Sequence, residues 1–120
     1  KEKTIMAQNF ISFTRQLGTG TTALCDTAAA GFSDAIIGIR IANVLTNAIT
    51  INVWVVPTGT ANLRYIAKGL SIPPASSVEL VQGGAKFVIN PGDVLNGNAS
   101  EGTAADVITS VVDKISTIPV

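Results

Sequence analysis

The stretch Ile36-Ile37-Gly38-Ile39-Arg40-Ile41-Ala42-Asn43-Val44, followed after a connection around Leu45 to Asn47 by Ile49-Thr50-Ile51-Asn52-Val53-Trp54-Val55-Val56, decides the fold class. Ile37, Ile39 and Ile41 share one parity, and Gly38, Arg40 and Ala42 the other. In the second run Ile49, Ile51, Val53 and Val55 alternate with Thr50, Asn52, Trp54 and Val56. Successive side chains of a strand point to opposite faces, so each run is a β-strand with one face in a core. The two runs are predicted to form a hairpin. Pairing Ile39 with Val53 and Ile41 with Ile51 then sets Gly38 opposite Trp54 and Arg40 opposite Asn52. That register lays the Trp54 indole over the Gly38 backbone, with the Arg40 guanidinium close enough to stack.

Working outward, the same alternation predicts strands at Phe10 to Arg15, Thr21 to Cys25, Asn62 to Lys68, Val78 to Val81, Lys86 to Ile89, Val94 to Ala99 and Asp106 to Ile115. Gly69 is expected to break its strand, and Gln82-Gly83-Gly84 to turn Lys86 to Ile89 back on the strand before it. Ser71-Ile72-Pro73-Pro74 lacks two successive ladder donors and belongs at an edge or corner. Asn90-Pro91-Gly92-Asp93 has the Pro and Gly positions of a type II turn. Thr27 to Ser33 reads as a loop or helical turn. Val107 to Val112 is apolar at both parities, as in a strand covered on both sides or one that carries a bulge. The fold class is therefore all-β: a β-sandwich, jelly-roll-like, of about eight short antiparallel strands, with other Greek-key sandwiches as the alternative. Residues 1–9 read as an N-terminal arm and residues 10–120 as a single sandwich domain. Met6 offers a natural start within that arm.

Composition narrows the function. The chain has 120 residues, eight Lys+Arg against eight Asp+Glu, no histidine and one cysteine; 13% of residues are charged and 47% hydrophobic. Without histidine the commonest acid/base group and metal ligand near neutral pH is missing, and a lone Cys25 builds neither a multi-cysteine zinc site nor an intrachain disulfide. Zero net charge with no basic cluster leaves no footprint for nucleic acid. Polar residues interrupt the apolar ones too often for a bilayer-spanning run. No basic start with an apolar stretch and cleavage site opens the chain, so secretion by that route has no support. The charged fraction is about half that of an average soluble domain, which points to a surface that meets other protein.

The candidate chemistry is thin. Asp93, Asn96 and Asn98 are oxygen donors near a turn, but no bidentate acid follows at calcium-loop spacing, and Asp93 is better explained as an acceptor for turn amides. Glu79, Glu101, Asp106 and Asp113 are dispersed, whereas a glycosidase needs two carboxyls at a set separation. Gly18-Thr19-Gly20 and Gly83-Gly84 lack the lysine and helix of a phosphate cradle. Cys25 reads as a small buried hydrophobe. Catalytic residues, metal and cofactor are accordingly expected to be none. The residues singled out are for protein contact: Arg40 and Trp54, of types enriched at hot spots, and Phe10 and Phe13, placed to extend a contact by strand addition.

Ile39-Arg40-Ile41-Ala42-Asn43-Val44, the alternating Ile49 to Val55 strand, Tyr65-Ile66-Ala67-Lys68-Gly69-Leu70-Ser71-Ile72-Pro73, Val78-Glu79-Leu80, Pro91-Gly92-Asp93-Val94 and the closing Val107 to Ile115 strand together resemble small virion structural proteins of tailed bacteriophages. The resemblance covers about Thr21 to Ile115; Ser-Ile-Pro followed by Gly-Asp-Val is its distinctive part, and Pro74 and Cys25 depart from it. It implies a sandwich that decorates or cements the capsid exterior, commonly as a homotrimer, with the major capsid protein as partner. It implies no catalytic residues, and a protein made in the host cytoplasm. A tail, neck or fibre component is the alternative, and a glycan-binding adhesion module is a second.

Overall fold

The computed structural model describes residues 9–27, 32–81 and 86–116, with side chains described for 10–27, 32–81 and 86–112. Among the described residues nine strands follow in chain order: β1 (Asn9–Leu17), β2 (Thr22–Ala23), β3 (Phe32–Asn43), β4 (Ile49–Val56), β5 (Arg64–Ile72), β6 (Ser77–Glu79), β7 (Phe87–Ile89), β8 (Val94–Ala99) and β9 (Ala105–Ser116). They form two antiparallel sheets. One runs β1-β9-β3-β6 with β7 also on β3, and the other runs β2-β8-β4-β5. Because β6 pairs with residues 40–42 of β3 and β7 with residues 34–36, these two short strands share one position at the sheet edge. Counted so, the order is that of a jelly roll, two four-position sheets wound from nested Greek keys.

The parity reading of β4 holds: Ile49, Ile51 and Val53 are buried in the core and Val55 packs against it. The hairpin does not form. β3 lies in one sheet, where Ile39 faces Thr109 and Ile41 faces Val107, while β4 lies in the other, between β5 and β8. Two alternating strands bury their apolar faces equally well side by side or from opposite sheets, so parity alone does not choose. What chooses is the corner after β3. Asn43, 3% exposed, donates from Nδ2 to the carbonyls of Asn47 (2.9 Å), Ile72 (3.0 Å) and Pro73 (3.1 Å), and its Oδ1 accepts from Leu45 N (2.9 Å). One buried amide thereby satisfies main-chain groups that the crossing would otherwise strand.

Within β3 the alternation slips. Ile36, Ile39 and Ile41 are all fully buried while Ile37 is half-buried, because the pairing with β9 shifts between Ile36 and Gly38. A bulge of this kind inserts one residue and moves the core-facing set by one position. Lys86 to Ile89 does not return either: β7 runs antiparallel to β3, as β6 does, so the two point the same way. The expected tight turn at Gln82-Gly83-Gly84 lies outside the described residues. Gly69 does not end its strand but sits inside β5 with φ +66°, and Phe32 and Ser33 already belong to β3 rather than to a loop. Asn90 to Asp93 turns as expected, with Gly92 at φ +86° and Asp93 N bonded to Asn90 O at 3.0 Å.

Candidate interaction surface

The buried carboxylate of Asp93 is spent on the fold. Asp93 Oδ1 accepts from Thr58 N and Thr58 Oγ1 (both 2.8 Å), and Oδ2 accepts from Asn90 N (2.9 Å). Burial alone raises a carboxyl pKa, but these bonds outweigh it, so Asp93 titrates below the usual carboxylate range. The turn is thereby pinned to the β4–β5 connection. Cys25 is free and buried. Desolvation, then the charges of Asp34 and Asp26, push its thiol up to about 11, which keeps it protonated and a poor nucleophile near neutral pH. Among the described residues no three His, Cys, Asp or Glu side chains converge.

The four residues singled out for contact part company. Phe10 is 79% exposed on the outer face of the five-stranded sheet. Phe13 has the opposite parity, is half-buried and packs against the core, with the Arg15 guanidinium 5.4 Å from its ring centroid. Arg40 is exposed, paired with Glu79 across β3–β6, and donates to Ser77 Oγ at 3.3 Å. Trp54 lies in the other sheet, so the Arg40–Trp54 pair and the indole cover over Gly38 do not exist. A Cβ at Gly38 would meet Glu79 and Ser110 instead.

Trp54 faces away from the core, opposite Asn96 on β8 and Tyr65 on β5, yet it is only 7% exposed. Its ring centroid stands 5.9 Å from that of Tyr65 in a tilted pair, and Lys68 Nζ lies 4.9 Å from the Tyr65 ring. Beside it Asn52 Nδ2 donates to Asn98 Oδ1 (2.9 Å), and Asn52 Oδ1 accepts from Gly69 N (2.8 Å). This second acceptor serves a strand amide that the irregular β4–β5 register leaves without its ladder partner. On this outer face Trp54 is covered by its neighbours' side chains, while Tyr65 at the β5 edge stays 45% exposed.

The outer face of the five-stranded sheet is different. Phe10 pairs with Val112, Val112 with Ala35, and Ala35 with Val88, so one apolar row crosses four strands. Phe10 and Val88, at its two ends, are 79% and 56% exposed; Ile108, on β9 nearby, is 46% exposed. The apolar residues at both parities of Val107 to Val112 were the sequence signal for this row. They do not mark a doubly covered strand, and the extra residue that β9 carries against β3 falls just past this stretch, between Val112 and Ile115. Val107 and Val111 fill the core, and Ile108 looks outward.

No family model and no curated protein matches the chain. A solved structure of Bacillus endospore appendages, which form a novel family of disulfide-linked pili, is similar in fold with a TM-score of 0.52. The match covers 92% of this chain and 88% of that one, at 12% identity.

Proposed function

We propose that this chain is a structural virion protein that decorates a tailed-phage capsid and cements it by bridging subunits of the major capsid protein. The reading is carried by the apolar row Phe10–Val112–Ala35–Val88 on the outer face of the five-stranded sheet. Such a face loses little hydration on docking and gains roughly 25 cal/mol for each Å² of apolar surface covered. Spread over many copies on a lattice, modest contacts sum to a large resistance to rupture. The resemblance of the Ser71-Ile72-Pro73 and Gly92-Asp93-Val94 segments to small phage virion proteins supports the same reading.

The test is to add the full chain to shells that lack it and measure occupancy and heat resistance. Binding at a copy number comparable to the capsid protein, reduced by the paired change Phe10→Ser and Val88→Ser, is the expected result. Absence of binding by the folded chain would remove the proposal. The alternative of a tail or fibre component draws support from the likeness in fold to a pilus structure. Location on the tail at a few copies per particle would favour it.

A further inference from the structure

A jelly roll leaves its edge strands open, and an open edge is a row of unpaired N–H and C=O groups that natural proteins usually blunt. Three of the edge strands here are blunted. β2 spans two residues, and β6 and β7 three each. β5 is nine residues long, but it carries Arg64 and Lys68, a residue at positive φ in Gly69, and two register shifts against β4. β1 is not blunted. Its nine residues pair without a break from Asn9↔Asp113 to Leu17↔Ala105, with no glycine or proline, and among the described residues it pairs with β9 alone. Its single charge, Arg15, is turned aside: Nε donates to Ala23 O (3.1 Å) and NH2 lies 3.6 Å from Asp26 Oδ1.

We infer that β1 joins two copies of this chain by antiparallel β1–β1 pairing around a two-fold axis at Ile11, which extends the five-stranded sheet across both molecules. The inference deepens the structural-subunit reading and rests on it. Two observations select a second copy and this register. Arg15 NH1 already donates to Thr14 O (3.0 Å), which marks the even-numbered residues as facing the open edge and leaves Phe10 and Ser12 to do the pairing. Phe10 of one copy then exchanges main-chain bonds with Ser12 of the other, and Ile11 meets Ile11 as a close pair without hydrogen bonds. In that arrangement the two Phe10 rings become diagonal neighbours, roughly 7–8 Å apart and within reach of each other. The most exposed large apolar side chain described is covered by its own copy, and the two apolar rows meet at the joint as one. No like charges face each other across the seam.

The full chain is examined by sedimentation over a concentration series, alongside Ser12→Pro, which removes an edge-facing N–H without touching the β9 ladder, and Phe10→Ser. A dimer is expected for the unaltered chain. Phe10→Ser should weaken it by about tenfold to a hundredfold, and Ser12→Pro should do at least as much, both with unchanged circular dichroism. In a Cys25→Ala background, Ile11→Cys should cross-link the dimer on oxidation well before Phe13→Cys, because only the first sits on the axis. A monomer at all concentrations, a trimer, an assembly indifferent to Ser12→Pro, or faster linking at position 13 would each overturn the inference. A chain that dimerises but does not bind shells would end the cement reading and leave this one standing. A chain that binds shells as a monomer would do the reverse.

Discussion

The two outer faces of this sandwich are built from similar strands and end in opposite conditions. On the four-stranded sheet, Trp54, Tyr65, Asn52 and Asn98 close over one another, and irregular register in β5 turns its edge away from partners. On the five-stranded sheet, the row from Phe10 to Val88 and the unbroken edge of β1 are left without side-chain cover. A face that is closed internally contributes to folding, whereas an open one contributes only when something else arrives. The same residue type, a large aromatic on an outward parity, therefore has a stability role in one sheet and an association role in the other.

The comparison is broken most sharply by truncating both aromatics. Trp54→Ala should cost about 3–5 kcal/mol in chemical unfolding, as for a core aromatic, although it lies outside the core cluster. A loss below about 1 kcal/mol would show that the closed face is only surface. Asp93→Asn, at the turn that anchors β8, removes a charged acceptor and should cost about 1.5–3 kcal/mol at neutral pH. The sign of its pH dependence follows from the lowered pKa. The stabilisation is fully present above the carboxyl's unfolded value and fades as pH falls through the folded one, so wild type and variant should converge in acid. A gap that widened on acidification would contradict this. Beneath the open face Thr109 is fully buried, and among the described residues its Oγ1 has no hydrogen-bond partner. Thr109→Val should raise stability by about 1 kcal/mol in thermal unfolding, since it removes an unsatisfied hydroxyl at nearly constant shape. The smallest effect belongs to Phe10→Ala, within about 0.5 kcal/mol of wild type when the monomer is unfolded.

Strand positions were legible from the sequence wherever alternation was clean. Val94–Ala99 coincides with its predicted limits, and Asn90 to Asp93 turns as its Pro and Gly demand. The reading failed where one residue broke the count. The bulge near Ile37 moved Ile36 into the core, and apolar residues at both parities of Val107 to Val112 did not say which parity would be covered. Of the four contact candidates, Phe10 and Arg40 are exposed. Trp54 lies on the expected outer side but is covered there beside Tyr65, eleven positions away on the next strand in no recognisable pattern. Val88 escaped notice because its short strand was expected to pair elsewhere.

The sequence by itself determined that this chain is all-β, which residues of most strands face a core, and that Asn90 to Asp93 turns, because period-two alternation and the φ requirements of Gly and Pro are local properties. Only the tertiary structure decided that β3 and β4 belong to different sheets, that Trp54 is covered, and that β1 and the Phe10 row are not. Those outcomes depend on which strand lies beside which, and pairing energies between distant segments leave no mark on either segment alone.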